Sequence, residues 1–260
     1  MNPSPGLRLR LLALNIQGNR SPWRTRKSVF QKILAAEQPD VAALHEVLRP
    51  HGTGTTQAHE LAQGASYHIG FGRASSMVRP FPSEFGSALL SRFPVREQRT
   101  EPLPAATGGL GRALLYELCS VKVGLLPLYV THLCAEPGDE AAAERRAQLE
   151  HIGRYIAAEQ AELPGRVPAQ VTILPPLLIG ELGAPLAPAL LCELGFVDAL
   201  TGIESGSTPW RSHVLMGAAT AGRPSLRVRA ARHLFGQDGQ GAEAQEPPAL
   251  LIELGLADEE

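Results

Sequence analysis

Residues 38–47, Gln38-Pro39-Asp40-Val41-Ala42-Ala43-Leu44-His45-Glu46-Val47, carry the strongest indication of fold in this 260-residue sequence. Pro39 ends the helix that the preceding residues predict, because proline has no backbone N–H and disfavours helical backbone in the residue before it. The apolar run Val41–Leu44 that follows predicts a short buried strand. The sequence thus predicts a carboxylate, Glu46, shortly after a buried strand.

Strands and helices are predicted on both sides of this segment. Residues 7–15 alternate between leucine and arginine and then become apolar, which predicts a strand with a buried inner half. Residues 24–37 have apolar side chains at helical spacing, which predicts a helix. After the segment, strands are predicted at residues 86–90, 112–122 and 125–132, the last two joined as a hairpin at Gly124.

The second half of the sequence predicts a long helix followed by shorter elements. Asp139 and Glu140 open the helix, which extends to Leu163, and acidic residues are favourable at a helix N-terminus. Residues 236–248 are polar and are predicted to form a flexible loop. Between them we predict a strand near 171–179, a short helix near 186–194, and strands near 196–199 and 212–216, with a last strand near 249–254.

Composition limits the classes of protein and partner. With 44% hydrophobic residues the chain can form a large core, and 260 residues suit one domain, which we predict over residues 1–260. The formal net charge of -2 excludes a general attraction to nucleic acid, so any contact with a polyanion must be local. Three cysteines lack metal-binding spacing, and no apolar stretch approaches the ~20 residues of a membrane span. We therefore expect a cytoplasmic protein without membrane contact.

Five segments, in this order along nearly the whole chain, resemble the sequence pattern of the endonuclease/exonuclease/phosphatase (DNase I-like) superfamily. They are Leu12–Ile16 (LALNI), Gln38–Val47 (QPDVAALHEV), Gly86–Pro94 (GSALLSRFP), Tyr129–Leu133 (YVTHL) with Arg145 and Gln148 on the next helix, and Leu178–Pro185 (LIGELGAP). Each segment alone is weak, and the order and spacing of all five carry the resemblance. It implies an α/β fold: a two-sheet sandwich of mixed strands flanked by helices, in four αββα layers.

The resemblance also implies a site for metal-dependent phosphoester hydrolysis. Such a reaction needs an in-line water, a base and a divalent cation that neutralises the phosphate. Here Glu46 would bind Mg²⁺ or Mn²⁺, Asn15 would hydrogen-bond the metal's ligands or a phosphate oxygen, and His132 would donate to a non-bridging phosphate oxygen. Each residue also has an ordinary interpretation, since asparagine often forms turns and strand-end glutamate and histidine are commonly solvated or satisfied within the fold.

The second half of the sequence departs from the family pattern. The family's GDFN segment reads GELG here, so the aspartate becomes the longer Glu181 and the asparagine becomes Gly183. A displacement of ~1 Å in an active site can reduce the rate about 10²-fold. The best counterpart of a further family aspartate is His213, and the final Asp–His pair aligns with Gln245 and Glu246, which removes the histidine acid/base.

Two hypotheses about function follow. The leading hypothesis is an inactive or very weak phosphoesterase domain with an eroded site that serves as a binding module, since losing one member of a catalytic unit can remove ~10⁴–10⁶ in rate. The alternative is an active Mg²⁺- or Mn²⁺-dependent phosphodiesterase whose rewired site uses three glutamates and a histidine: Glu46, Glu181 and Glu246 with His132 or His213. A purely structural protein is the third interpretation.

Two groups of basic residues are candidates for binding a phosphoester or nucleic-acid ligand. The first group follows Asn15 and comprises Arg20, Arg24, Arg26 and Lys27. Loops at these places border the cleft in the family, so the resemblance implies a phosphate-binding rim that includes Arg20, Arg24 and Arg145. The second group precedes the C-terminal strand and comprises Arg223, Arg227, Arg229 and Arg232. The ordinary alternative for both groups is a solvated charged face.

Overall fold

The computed structural model describes residues 7–18, 22–78, 81–105, 110–134, 136–182, 186–200, 212–217, 224–234 and 249–257. Several sequence predictions lie outside these residues: Arg20, Gly183, Arg223, Gln245, Glu246 and the loop 236–248.

In chain order the elements are β1 (Arg8–Asn15), α1 (Trp23–Glu37), β2 (Val41–Pro50), α2 (Gln57–Leu61), β3 (His68–Met77), β4 (Ser83–Ser91), β5 (Val95–Pro102), β6 (Ala113–Val121), β7 (Gly124–His132), α3 (Asp139–Arg166), β8 (Leu177–Glu181), α4 (Leu186–Glu193), β9 (Phe196–Asp198), β10 (Ser212–Gly217), β11 (Leu226–His233) and β12 (Ala249–Leu256).

The strands form two six-stranded mixed sheets. The first has the strand order β11-β12-β1-β2-β4-β3, and the second has the order β5-β6-β7-β8-β10-β9. Each sheet contains one parallel pair, β1 with β2 and β7 with β8, among antiparallel neighbours. Parallel neighbours need a crossover connection, which α1 supplies in the first sheet and α3 in the second. None of the helices in the described part of the chain is long and apolar enough to cross a membrane.

Three clusters of buried apolar side chains hold the layers together. The central cluster lies between the two sheets and includes Leu11 and Ile179. A second cluster, with Tyr129 and Ile152, packs the second sheet against α3, and a third, with Phe30, packs the first sheet against α1 and α2. Full burial of one such side chain contributes about 1.5–3 kcal/mol relative to exposure. The mixed two-sheet sandwich with outer helices confirms the predicted fold class.

Three strands, β3, β5 and β11, are present where the sequence pattern indicates none. All three lie at sheet edges. The segments VREQRTEP of β5 and LRVRAARH of β11 are rich in charge, which protects an edge from pairing with another chain but removes the apolar alternation that reveals a strand. The strand predicted near 171–179 begins later, at Leu177, because Pro175 and Pro176 precede it and proline cannot donate to a sheet.

Candidate active site

The carboxyl ends of the two parallel strand pairs meet at one end of the sandwich. Asn15 ends β1 and pairs with His45 of β2, and His132 of β7 pairs with Glu181 of β8. A hydrogen bond from Asn15 Nδ2 to Glu181 Oε2, 2.9 Å long, joins the two sheets across 166 residues of sequence. These side chains and Glu46 therefore converge at one place, as the resemblance to the family implies.

The amide group of Asn15 links two buried carboxylates. Besides Glu181, its Nδ2 donates to Glu46 Oε1 at 3.3 Å, and its Oδ1 accepts from the backbone N–H of Gln17 at 2.7 Å. Because the amide oxygen faces that backbone donor, the NH₂ group is directed at the carboxylates. The exposed fractions of Asn15, Glu46 and Glu181 are 7%, 6% and 5%, so these contacts lie in a low dielectric and are correspondingly strong.

His132 lies between the same two carboxylates. Its Nδ1 is 3.9 Å from Glu46 Oε1, and its Nε2 is 3.5 Å from Glu181 Oε2. These distances exceed those of ordinary nitrogen–oxygen hydrogen bonds, so the ring lies close to both carboxylates without a short hydrogen bond to either oxygen. A histidine placed in this way is suited to moving a proton or to donating to a phosphate oxygen.

A β-bulge in β2 directs Glu46 into the site. The pairing of β2 with β4 shifts register between Leu44 and Val47. Two residues of β2, His45 and Glu46, therefore face one residue of β4, and Glu46 has a φ of 56°, which non-glycine residues rarely adopt. The predicted strand end at Leu44 is wrong, because β2 continues to Pro50 and Glu46 is a bulge residue within it.

His45 belongs to the site although the sequence pattern did not single it out. Its ring has no exposed surface and meets the ring of His132 edge-on, with 6.0 Å between the centroids. Burial lowers the pKa of His45 to about 3, so the ring is neutral at physiological pH. His45 therefore packs beside His132 without adding charge. Its place directly before Glu46 is the one signal in the sequence that could have indicated it.

Buried side chains of α1 and α2 anchor the loop that follows β1. Arg26 donates through Nη1 to the carbonyl oxygen of Ile16 and through Nη2 to that of Gly18, the latter at 2.9 Å. Gln57 Nε2 also donates to the Gly18 carbonyl, at 2.9 Å. Within the first basic group, Arg26 is thus structural, whereas Arg24 of the predicted rim is exposed.

Arg145 holds the segment that follows β7. Its Nη1 donates to the carbonyl oxygens of Cys134 at 3.1 Å and Glu136 at 2.7 Å. Gln148, one turn further along α3, accepts from the backbone N–H of Cys134 at 3.1 Å. These two residues therefore position the loop after His132, and a phosphate-binding role for Arg145 stays a prediction.

The structure does not bring His213 together with the four converging residues. Leu215, two positions further along β10, packs beneath α3 rather than between the sheets. Because side chains alternate along a strand, His213 lies on that same face, away from Glu181. There its Nδ1 is 3.1 Å from Asp198 Oδ2. In the pairing of β10 with β8, Ser212 is the residue opposite Glu181.

Glu46 and Glu181 are the carboxylates suited to a divalent cation at this site. Across the described residues, no group of three or more His, Cys, Asp or Glu side chains is arranged for a metal ion. Mg²⁺ commonly takes one or two protein carboxylates and completes its octahedron with water and substrate phosphate. Two buried carboxylates that share one amide donor fit a cation held mainly through water and ligand, and they do not form a closed protein site.

Comparison with known proteins gives a family match and a set of similar folds. The sequence profile of the endonuclease/exonuclease/phosphatase family matches residues 12–164. An endonuclease/exonuclease/phosphatase from Beutenbergia cavernae DSM 12333 is 20% identical, with a TM-score of 0.70 over 96% of this chain and 72% of that chain. The human Nocturnin catalytic domain with bound sulfate is 17% identical, with a TM-score of 0.70 over 97% and 96%. D. rerio TDP2 complexed with a single-strand DNA product is 14% identical, with a TM-score of 0.64 over 95% and 98%. No curated protein matches the sequence significantly.

The extent of the family match corresponds to the part of the site that keeps the family pattern. The matched residues include Asn15, Glu46 and His132, and the match ends before Glu181. The likeness to solved structures covers nearly the whole chain and at these identities concerns the fold.

Proposed function

The chain belongs to the endonuclease/exonuclease/phosphatase family, and we propose that it is a phosphoester-binding domain whose eroded active site hydrolyses its ligand very slowly or not at all. One observation carries the proposal: Asn15 Nδ2 donates to both Glu46 and Glu181. The groups that would hold a cation and a phosphate are thereby bound to one another.

The residues that replace the family pattern in the second half remove groups that hydrolysis needs. The attacking water must be positioned and must lose a proton, and the charge that develops on the phosphate must be neutralised. Gly183 has no side-chain donor, and Gln245 has no charge with which to orient a histidine or a cation. Glu246 stands where the family has a histidine, so the second imidazole acid/base is absent from that position.

A phosphoester is the ligand class that suits the groups that remain. His132 can donate to a phosphate oxygen, and Mg²⁺ or Mn²⁺ held at Glu46 would offset the phosphate charge. Two structures of similar fold support an anionic ligand, since human Nocturnin holds sulfate and D. rerio TDP2 holds a single-strand DNA product. The proposed ligand is therefore a nucleic acid or a smaller phosphoester.

Hydrolysis of bis-p-nitrophenyl phosphate and of plasmid DNA, with Mg²⁺ or Mn²⁺ present, tests the proposal. We expect no turnover beyond trace levels from the purified protein. Glu46→Gln is the site variant, and Glu150→Gln on α3, outside the site, is its matched control. Metal-dependent turnover that Glu46→Gln abolishes and Glu150→Gln preserves would refute the eroded site.

A working hydrolase with a rewired site is the second candidate. The observation that favours it is the placement of His132 between Glu46 and Glu181. Glu246 would add a third carboxylate for the cation. This candidate predicts metal-dependent turnover that Glu246→Gln and His132→Ala each abolish. His213→Ala should then leave turnover unchanged, because His213 contacts Asp198 on the other face of the sheet.

A further inference from the structure

Arg112 is a buried arginine, and two of its three nitrogen donors have no hydrogen-bond partner among the described residues. It directly precedes β6, and 9% of its surface is exposed. Its Nε and Nη1 atoms are buried, and neither has a hydrogen-bond partner in the described part of the chain. A guanidinium group keeps its charge in proteins, so its burial is strongly unfavourable unless another group satisfies it.

The side chain of Arg112 spans the gap between the sheets at the end that holds the site. Leu114, two residues further on, pairs with Thr131 near the end of β7. The guanidinium carbon is 6.0 Å from the ring centroid of Phe85 in β4, the neighbour of β2. Arg112 therefore starts beside the strand that ends in the site histidine and reaches toward the sheet that carries Glu46.

Gly111 makes this approach to the first sheet possible. A Cβ atom at position 111 would lie 2.8 Å from the carbonyl oxygen of Ala74 in β3, closer than real Cβ contacts. The carbonyl oxygen of Arg112 accepts from the backbone N–H of Leu103 at 2.9 Å, which holds the residue in place. The backbone from which the Arg112 side chain extends is thus held close to β3 of the first sheet.

A comparison with Arg26 separates a structural arginine from Arg112. Burial lowers the pKa of both arginine side chains, and the negative charge of Glu46 opposes that shift in both cases. Arg26 is equally buried at 9%, but its two Nη atoms donate to backbone carbonyls. Among the described residues, Nε and Nη1 of Arg112 have no such carbonyl partners, so packing within this part of the chain does not account for these two donors.

We propose that Arg112 binds a phosphate oxygen of the ligand and is the cation that anchors a phosphoester in this cleft. The inference rests on the proposed function and assigns the ligand's charge to one residue. Guanidinium–phosphate hydrogen bonds are charge-assisted and are stronger than neutral ones, so a phosphate satisfies the unused donors. Arg112 also offsets the negative charge of Glu46, beside which an anion must bind.

Calorimetric binding of bis-p-nitrophenyl phosphate in the presence of Mg²⁺ tests this role. Loss of a charge-assisted hydrogen bond predicts about 10- to 100-fold weaker binding for Arg112→Gln. Arg146→Gln, on the exposed face of α3, is the matched control and should bind as the wild type does. Equal affinity of wild type and Arg112→Gln would overturn the inference and leave the proposed function intact. Absence of binding by the wild type would overturn the proposed function and this inference with it.

Thermal unfolding of the same variants separates a ligand role from a structural one. Removal of a buried charge with two unpartnered donor atoms among the described residues should leave the melting temperature of Arg112→Gln unchanged or raise it. A lowered melting temperature would assign Arg112 to the fold and overturn the inference. If Arg112→Gln does not fold, Arg112→Met replaces it, because methionine places an apolar side chain at the buried position. The expected and the contradicting results are then the same as for Arg112→Gln.

Discussion

The strands before and after α3 both pair extensively within the sandwich, but they differ in how many residues of the family's active-site pattern they retain. β12 pairs with β1 over seven residue pairs, and β10 pairs with β8 over five. The retained residues Asn15, Glu46 and His132 nevertheless all precede residue 164, where the family match ends. Burial of apolar side chains thus maintains the second half of the fold although its polar groups differ from the family pattern. Fold and chemistry depend on different residues of the same strands.

Restoring the family pattern in the second half should have the largest effect. We expect the combined variant Glu181→Asp, Gly183→Asn, Gln245→Asp and Glu246→His to hydrolyse bis-p-nitrophenyl phosphate at least about 10³-fold faster than the wild type, because a complete catalytic unit is regained. Adding His132→Ala should remove the gain. A folded combined variant that is as inactive as the wild type would mean that the replaced residues of the second half are not what prevents hydrolysis.

A core carboxyl in the first half provides a contrast with the carboxylates of the site. Glu117 in β6 has no exposed surface, neither of its carboxyl oxygens has a partner among the described residues, and burial raises its pKa to about 8 from 4.5. Between these values the unfolded chain releases the proton while the folded protein keeps it. The free energy of unfolding should therefore fall as pH rises through this window and level off above it.

Urea denaturation of Glu117→Gln across that pH window measures this effect. The variant should lose the pH-dependent decrease and exceed the wild type above the folded pKa by a few kcal/mol. Glu150→Gln on α3 serves as the control, because it removes a carboxylate that is not buried. An unchanged pH dependence in Glu117→Gln would show that this carboxyl is not the group that titrates.

Anchoring side chains should also differ between the two halves. Arg26→Ala removes charged donors from the carbonyls of Ile16 and Gly18 and should lower the free energy of unfolding by about 2–3 kcal/mol. Arg232→Ala in β11 removes an ion pair with Glu37 whose arginine side chain is 58% exposed, and should cost less than about 1 kcal/mol. Equal losses in denaturant unfolding would contradict the contrast between a buried anchor and a surface pair.

Added metal should have the smallest effect. A cation that binds only the folded protein stabilises it in proportion to its affinity, and a site with one or two carboxylates binds Mg²⁺ weakly, so ~5 mM Mg²⁺ should leave the melting temperature essentially as it is in EDTA. A rise that both Glu46→Gln and Glu246→Gln abolish would support the rewired hydrolase. A rise that only Glu46→Gln abolishes would place the remnant metal site in the first half alone.

Local sequence pattern is sufficient for the elements that build the core. β7 and β8 are apolar runs, and β1 alternates between arginine and leucine before it becomes apolar. α1 and α3 have apolar side chains at helical spacing. These patterns are informative because side-chain direction repeats every two residues in a strand and every 3.6 in a helix. The convergence of Asn15, Glu46, His132 and Glu181 is what the resemblance to the family implies. The charged edge strands β5 and β11 cannot be predicted from such a pattern. Backbone pairing with one neighbouring strand holds them in the sheet, and they do not bury a continuous apolar face.

Tertiary structure alone decides which face and which partner each polar side chain has. The bulge that turns His45 and Glu46 inward arises from the register between β2 and β4, and pairing with β8 places His213 on the helix-facing side. Arg112 owes its position to the close approach of two sheets. A sequence pattern reports periodicity over a few residues, whereas register and contact join residues as distant as Asn15 and Glu181, 166 positions apart, which only packing brings together.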